Sequence, residues 1–371
     1  MTFARHTVGT LCRWLRPTPP AGGYPSPDIS PEAWQSVIAL ANAHLLVPAL
    51  CAALKHSGQL SAVPPEPRRY LVRLHRLNRR RNILIRRQTL ELVEALNEVS
   101  VVPLLLKGAL VLTVDPATHR GGRMMADIDF AVPPEVAGTT SDVLARLDYT
   151  LRNRYPDGHH AYGEFGRSGS PAALDLHFEL IDQHYLLPAR EVWDRGWPVK
   201  LCDAVFRMPG MTDRVFHNLL HAQIHHVGNF YRAGLNLRDL LEFATMVASN
   251  GSRIDWQRLQ TTMAAHGLTG ALDNYLLASH RLFGTPWPFD RRPLLSGRFH
   301  LRLGVAQLRR PFLSRLFVPA GNVRAAFSRH RMQQLYDHLG GGPILWRWHH
   351  LRQFLSRHGA RPAIGRLFRF W

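Results

Sequence analysis

Two aspartates, Asp127 and Asp129, alternate with apolar residues in the segment DIDFAV of this 371-residue chain. Read as a strand, the segment places both carboxylates on one face and Ile128, Phe130 and Val132 on the other. Carboxylates this close repel one another, so the pattern predicts a partner that neutralises them. A divalent cation is the simplest candidate, because Mg²⁺ takes hard oxygen ligands and often sits between carboxylates and phosphates.

A second segment, LDLHFEL at residues 174–180, alternates in the same way. Asp175, His177 and Glu179 share its polar face, so this strand offers Asp175 as a third carboxylate. Three acids on two strands match the needs of in-line phosphoryl transfer. In that chemistry metal ions clamp the attacking and leaving oxygens, a carboxylate takes the nucleophile's proton, and a cation steadies the phosphates.

Lys107 stands at the end of the apolar run of residues 101–106, and Gly108 follows it. The run predicts a buried strand that enters a tight turn at this Lys-Gly pair. The chain has three lysines against 43 arginines, and a compact ammonium suits a phosphate at such a turn better than the wide arginine fork. Two interpretations stay open, in which Lys107 contacts a phosphate or extends from the strand end to solvent.

Four motifs carry a resemblance to a known family, namely LLLKGALVL at 104–112, RMMADIDFAV at 123–132, HHAYGEF at 159–165 and ALDLHFEL at 173–180. They resemble the uncharacterised nucleotidyltransferase family of the polymerase-β-like superfamily. The likeness runs from about residue 30 to about residue 285. It implies an α+β fold with a small mixed β-sheet as the nucleotidyltransferase core, helices before it and a helical domain after it.

The resemblance also implies a reaction and its residues. Asp127, Asp129 and Asp175 would hold Mg²⁺ or Mn²⁺, and Asp175 would also take the acceptor's proton. Lys107 and the backbone of Gly108 would hold the triphosphate. The implied reaction moves a nucleoside monophosphate from an NTP, ATP foremost, to an unidentified hydroxyl acceptor that is a small molecule, a protein or an RNA.

The chain departs from the family pattern at two positions. Ala109 follows Gly108 where the superfamily often has a serine, and Ala126 precedes the first aspartate where this family often has one. Neither departure removes a presumed ligand. The rival interpretation is a catalytically silent nucleotide- or RNA-binding module that retains the same fold. The three carboxylates argue against it, because a binding module does not need such costly acids.

Three further positions are candidates for the same site. Arg123, four residues before the first aspartate, either pairs with a phosphate or braces the aspartate strand. His177 either orients Asp175 or contacts the acceptor. His160, with His159 beside it at the start of a predicted strand, either reaches the cleft or lies on the surface.

Composition and the positions of Pro- and Gly-rich breaks divide the chain into five predicted regions. They are an irregular segment at 1–29, a helical region at 30–100, the catalytic core at 101–185, a helical domain at 186–290 and an arginine-rich helical tail at 291–371. Within the second region Ser30 and Pro31 predict a helix start.

A long helix is predicted over residues 68–98. Seven arginines crowd its first half. They either face a nucleic acid or phosphate or form a solvated helix face. The predicted apolar stripe of this helix includes Leu71, Leu74, Leu77, Leu84, Ile85, Leu92 and Leu96.

Past residue 186 the pattern favours helices. A helix starting at Thr212 carries His217, His221 and His225 at four-residue spacing, hence on one face. Imidazoles at this spacing are able to bind a transition metal. The sequence has no HExxH pattern here, which favours histidines that are hydrogen-bonded or exposed.

The net charge of +19 is concentrated near the C-terminal end. Residues 291–371 hold sixteen arginines, no lysine and one acidic residue, which is a net charge of +15. Arginines alternate there with aromatic residues, as in WRWHHLRQF at 346–354 and RLFRFW at 366–371. Three interpretations stay open for this tail: contact with RNA, contact with an anionic membrane surface, or a packed helix whose arginines only face water.

Three cysteines that lie far apart predict a reducing compartment and no structural zinc site. No apolar run reaches the roughly 18 residues of a membrane span. We therefore expect a cytoplasmic protein, with contact to the inner face of the membrane through the tail as an alternative.

Overall fold

The structure is a computed structural model that describes residues 6–114, 121–156, 159–225, 228–336 and 342–358. Within these residues its centre is a mixed sheet of seven strands, in the order β3-β4-β5-β2-β1-β7-β6. The strands are β1 (Leu104–Leu105), β2 (Asp127–Ala131), β3 (Thr150–Arg154), β4 (Ala161–Gly166), β5 (Ala173–His177), β6 (Trp197–Leu201) and β7 (Ala204–Met208). Helices surround this sheet, so the α+β fold with a mixed sheet is confirmed.

The central strands β2 and β5 carry the candidate carboxylates. They run parallel, and Asp129 lies directly opposite Asp175 in the register. On one side β4 and β3 continue the sheet with antiparallel pairing. On the other side β1 pairs antiparallel to β2 and parallel to β7. Adjacent parallel strands with matched register bring the two acidic side chains to the same place on the same face.

The strand predictions need correction at both ends of the core. The apolar run 101–106 forms only the short β1, since Pro103 has no N–H to give to a ladder and a helix begins at residue 107. The prediction that the chain is helical past residue 186 is wrong for β6 and β7. Their sequences alternate, and the hairpin turns at Cys202, whose φ is 55°. Because β7 pairs with β1, the sheet extends past the predicted core boundary at residue 185.

Among the described residues, four α-helices precede the core: α1 (Thr7–Trp14), α2 (Pro31–Ala43), α3 (Val47–His56) and α4 (Pro65–Glu98). The prediction of an irregular segment at 1–29 is wrong for α1, which buries Val8, Leu11 and Trp14 in the core. The predicted start of α2 is confirmed, because the Ser30 hydroxyl accepts a hydrogen bond of 3.2 Å from the Ala33 amide.

The inward face of α4 differs from the predicted apolar stripe. Leu77 and Leu84 are each 50% exposed. The polar side chains Asn78, Asn82 and Gln88 are buried instead. They face inward because they hydrogen-bond loops of the core, and burial of a polar side chain requires such partners. The five arginines at 69, 73, 76, 79 and 80 are exposed, as a solvated helix face would be.

The remaining helices are α5 (Lys107–Val114), α6 (Ala137–Arg146), α7 (Ala189–Arg195), α8 (Met211–Gln223), α9 (Asn229–Arg232), α10 (Leu237–Asn250), α11 (Trp256–Ala265), α12 (Thr269–Phe283), α13 (Leu295–Arg309), α14 (Ser314–Ala326), α15 (Arg329–Tyr336) and α16 (Gly342–His358). One hydrophobic core joins α4, α5 and α6 to the sheet. A second core joins α1, α2 and α3 to α8, α10 and α12. The N-terminal helices and the later helices thus pack on each other, although they flank the core in sequence. The division of the chain into domains stays a prediction.

Residues 291–336 and 342–358 of the arginine-rich tail are described. The tail begins as packed structure, because Arg291 forms two hydrogen bonds of 2.6 and 2.8 Å to the fully buried Asp273. The aromatic residues Phe368, Phe370 and Trp371 lie outside the described residues.

Among the described residues, no single helix has both the length and the apolar composition of a membrane span. The pair α2 and α3, bent by 120°, passes the same test of length and composition only when taken together.

Candidate active site

Three ligand-type side chains meet where β2 and β5 lie side by side. Asp129, Asp175 and His177 each offer an atom, and these atoms lie within 4.8 Å of one another. Asp129 and His177 are buried at 3% and 1% exposure. We call these three residues the carboxylate cluster. Two of the three predicted acids are therefore brought together.

His177 joins the two acids. Its Nε2 lies 3.2 Å from Asp129 Oδ1 and 3.2 Å from Asp175 Oδ2. Burial favours the neutral ring, but the hydrogen bonds to both carboxylates hold the pKa of His177 above its ordinary value. Of the two interpretations for this residue, the geometry matches orientation of Asp175, and it adds the same contact to Asp129.

Lys107 supplies the positive charge of the cluster. Its Nζ lies 2.7 Å from Asp129 Oδ1, so the side chain turns inward to a carboxylate instead of extending to solvent. Its backbone has φ of 42°, in the left-handed region that non-glycine residues seldom adopt. Such strain is commonly retained at functional sites. Contact with a phosphate stays a prediction.

Side chains of the protein itself thus supply part of the predicted neutralisation of the acids. Burial opposes ionisation of Asp129, yet Lys107 and His177 hold the pKa of this carboxyl well below its usual range. The pKa of Lys107 is raised, because the attraction of Asp129 outweighs the burial of the ammonium. Sequence reasoning expected a bound cation and did not anticipate the ion pair between Lys107 and Asp129.

Asp127 differs from the other two predicted acids. It is exposed at the start of β2, and among the described residues it is not part of the carboxylate cluster. The protein around the exposed side chain still removes part of the water from its carboxyl group, and this desolvation, followed by repulsion from Asp129, raises the pKa of Asp127. An exposed acid beside the cluster is placed to meet a ligand that enters from solvent.

Arg123 and Gly108 pack against each other. A Cβ on Gly108 would lie 2.3 Å from Arg123 Nη1, so a larger residue here would require the guanidinium to move. Arg123 Nη2 donates a hydrogen bond of 2.9 Å to Glu242 on α10. The arginine therefore braces the loop before β2 against the later helices, while its contact with a phosphate stays a prediction.

Sequence reasoning missed the contribution of α4. Asn78 Nδ2 donates hydrogen bonds of 2.8 Å to the carbonyls of Gly121 and Arg123. Arg81 donates to the Met125 carbonyl and, at 2.6 Å, to the Pro171 carbonyl. The helix thereby holds the loops that lead into both aspartate strands. The sequence did contain one sign of this contribution: polar residues interrupt the apolar stripe of α4 at helical spacing.

The predicted row of histidines on α8 is only partly on that helix. His217 and His221 belong to it, whereas α8 ends at residue 223, before His225. His217 Nε2 lies 3.1 Å from the Leu180 carbonyl. Burial lowers the pKa of His217 to about 3, so the ring is neutral and hydrogen-bonded.

A pocket adjoins Lys107 between α5 and the later helices. Charged and polar side chains from α8 and α10 line it together with Lys107, among them Arg214, His217, His221, Arg238 and Glu242. Ligand pockets typically combine apolar walls with a few such polar groups. A ligand in this pocket would lie next to Lys107, whose ammonium pairs with Asp129 of the carboxylate cluster.

The donor set fits a hard divalent cation. Asp175 Oδ1 is buried and has no hydrogen-bond partner among the described residues. Buried polar atoms are rarely left without a partner, so such an atom points to a ligand. Carboxylate oxygens are the ligands that Mg²⁺ and Mn²⁺ prefer.

His160 lies beside the cluster and not on the outer surface. It is 8% exposed, and its Nδ1 lies 2.7 Å from Asp182 Oδ1. Its ring centroid is 5.5 Å from that of His177. Burial lowers the pKa of His160 despite the hydrogen bond to Asp182. The prediction that it reaches the cleft fits this position, and its role there stays a prediction.

Comparison with known families gives one match. The sequence model of a family described as uncharacterised nucleotidyltransferase matches residues 30–284, which is more than half of the chain. The match includes β2, β5 and α4, and it ends before the arginine-rich tail. A comparison with curated proteins found no match.

Proposed function

Because this chain belongs to the uncharacterised nucleotidyltransferase family, and so is a nucleotidyltransferase that uses an NTP, we propose that it transfers the NMP unit to an acceptor hydroxyl. ATP is the NTP we favour. The observation that carries the proposal is the pairing of Asp129 with Asp175 on adjacent strands, with His177 between them and Lys107 beside them. The acceptor is a small molecule, a protein or an RNA.

In the proposed reaction the acceptor oxygen attacks the α-phosphorus, and the bond from that phosphorus to pyrophosphate breaks. Asp175 takes the proton of the hydroxyl, since its Oδ1 is the buried oxygen without a partner among the described residues. His177 keeps the second oxygen of Asp175 in place. Pyrophosphate leaves with the electron pair of the broken bond.

The triphosphate binds next to Lys107 and the backbone of Gly108, facing the pocket between α5 and α8. Lys107 lines that pocket and also contacts Asp129, so one ammonium is able to bridge the carboxylate and a phosphate oxygen. The guanidinium of Arg123 packs against Gly108 and so supports this binding position.

Asp127, Asp129 and Asp175 would hold Mg²⁺ or Mn²⁺. When bound, such ions offset the negative charge that develops on the phosphate oxygens. Asp129 is suited to this because its carboxylate stays ionised, with its pKa held low by Lys107 and His177 against the effect of burial. Asp127 contributes an exposed carboxylate on the same strand.

The test uses the full-length protein with Mg²⁺, fractions of a cell lysate, and ATP labelled either at the α- or at the γ-phosphate. We expect the α-label to join one fraction and the γ-label to stay in small molecules. Asp129→Asn should transfer no label, whereas Asp142→Asn, an exposed aspartate on α6, should transfer as the wild type does. ATP binding without any transfer would favour the catalytically silent module instead.

We also propose that the tail contacts an anionic membrane surface, which would place this protein at the inner face of the membrane in the cytoplasm. Its described helices present large apolar side chains to solvent, and an exposed arginine precedes each of three of them. These are Phe299 at 65%, Leu316 at 68% and Trp348 at 66% exposure. The same helices also expose the aliphatic side chains of Leu295, Ile344 and Leu345. A lipid interface takes up exposed aliphatic side chains, whereas RNA contacts aromatic rings and arginines.

A further inference from the structure

A second group of metal-ligating side chains lies one imidazole ring away from the carboxylate cluster. His159 and His160 precede β4, Asp182 follows β5, and His225 follows α8. We call these four residues the histidine cluster. The transfer step described above assigns no role to them.

The donor atoms of this cluster converge. One atom each from His159, His160 and Asp182 lies within 4.8 Å of the others. His160 Nδ1 is 2.7 Å from one oxygen of Asp182, and His225 Nδ1 is 3.5 Å from the other. The carboxylate therefore stands between two imidazoles, and its side chain is 31% exposed, which leaves a path for a ligand from solvent.

Backbone hydrogen bonds hold these segments in place. The amides of Phe178 and Glu179 both donate to the His160 carbonyl at 2.9 Å, which joins the histidine segment to the end of β5. The Asp182 amide donates to His225 Nδ1 at 3.3 Å. This contact leaves His225 as a positioning residue for Asp182. A preorganised set of donors is what a metal site requires.

Imidazole rings crowd around the Asp182 carboxylate. The ring centroids of His159 and His160 are 4.2 Å apart, and those of His160 and His225 are 4.6 Å apart. A bound cation would be held by ring nitrogens and the carboxylate together. Two imidazoles with one carboxylate suit a first-row transition ion, whereas the carboxylate cluster, with its acids and lysine, suits Mg²⁺.

We propose that His159, His160 and Asp182 bind a divalent transition-metal ion, with Zn²⁺ the ion that best matches their donor types. A site with three protein ligands leaves a coordination position open for an oxygen ligand. The ring of His160 lies 5.5 Å from that of His177, so the proposed site adjoins the carboxylate cluster. If the proposed transfer holds, the oxygen ligand is the acceptor hydroxyl.

The test measures Zn²⁺ alone, on full-length protein stripped with a chelator, in competition with a chromophoric zinc chelator. We expect one tight equivalent in the wild type and in His56→Ala, an exposed histidine at the end of α3. His160→Ala and Asp182→Asn should weaken this equivalent by at least about tenfold. Asp175→Asn should retain it, because that change affects only the carboxylate cluster.

Two further measurements keep the result unambiguous. His159→Ala alters a half-buried side chain, so it tests the site where His160→Ala disturbs folding. Co²⁺ in place of Zn²⁺ should give visible absorption bands that His159→Ala changes and His56→Ala does not.

Unchanged Zn²⁺ affinity in His159→Ala, His160→Ala and Asp182→Asn would overturn the proposal. Loss of the equivalent in Asp175→Asn would also overturn it, since the zinc would then belong to the carboxylate cluster. Failure of ATP labelling with retained Zn²⁺ binding would count against the proposed transfer and not against this site.

Discussion

The carboxylate cluster and the C-terminal helices use charge in opposite ways. In the cluster, Asp129 is 3% exposed and has Lys107 at 2.7 Å and His177 at 3.2 Å. In the tail, Arg298, Arg315 and Arg347 are exposed. Buried pairs interact strongly, and salt screens them little, whereas exposed charges act over a Debye length of about 10 Å at 0.1 M salt. The difference predicts a body that responds to pH and to single substitutions, and a tail in which the contribution of the arginines responds to salt.

The family match and the net charge are also divided between the two regions. The family match covers the body and ends at residue 284, while residues 291–371 carry +15 of the net charge of +19. The proposed transfer chemistry and the arginine-rich segment therefore belong to different parts of the chain. A change in one should leave the other intact.

The largest effect is expected for Asp129→Asn, which should reduce labelled transfer by at least about 10³-fold. Asp129 is a proposed ligand of the metal ion, and such an ion stabilises the charge of the transition state by several kcal/mol. It should also lower the free energy of unfolding by about 3 kcal/mol or more, since Lys107 loses its buried partner. A transfer assay and a urea titration measure the two effects. The matched change Asp142→Asn should alter neither, and wild-type transfer by Asp129→Asn would refute the mechanism.

The second-largest effect is expected for Lys107→Met. Removing the ammonium takes away one charge-assisted contact worth about 1.5–3 kcal/mol, so ATP affinity should fall by roughly 10- to 100-fold. Equilibrium binding of ATP with Mg²⁺ measures this. Lys200→Met removes an exposed lysine on β6 and is the control. Equal affinity in both variants would mean that Lys107 only neutralises Asp129.

The sequence was sufficient for the parts of the site that depend on local alternation. The pattern of residues 127–132 predicted β2, and that of 174–180 predicted β5. Local patterns carry no information on which strands pair. The parallel register of Asp129 with Asp175, and the contact of Lys107 with Asp129, depend on residues far apart in sequence.

The misassigned face of α4 has the same cause. Apolar spacing predicted that Leu77 and Leu84 would be buried, but both are half exposed. Asn78 and Asn82 take the inward positions because carbonyls of the loop before β2 need donors there. A local pattern cannot reveal a need that arises from a loop about 40 residues away.

Acid should destabilise the body through His217. Its folded-state pKa is about 3, below the value of about 6.5 in an unfolded chain. As pH falls below 6.5 the unfolded state binds a proton that the folded state does not, so stability falls, by about 2 kcal/mol at pH 5 from this residue. In denaturant titrations from pH 7 to 5, His217→Gln should lose less stability than the wild type by that amount, while His56→Gln should lose as much. Parallel losses in all three proteins would contradict the lowered pKa.

The smallest effect on transfer is expected from the tail. Replacing Phe299, Leu316 and Trp348 together by serine should leave ATP labelling unchanged, because the three side chains are exposed and lie outside the family match. The same variant should lose most of its co-sedimentation with anionic liposomes at moderate salt, since apolar insertion persists where charge attraction is screened.

The control for this variant is Leu77→Ser with Leu84→Ser on α4, two leucines that are also exposed and lie among arginines. If these changes weaken liposome binding equally, the tail has no special part in it. A gel shift with mixed RNA tests whether the tail binds RNA instead of the membrane surface. RNA binding that fades steeply with salt and ignores the serine substitutions would assign the arginines to RNA. It would then make RNA the first acceptor to test.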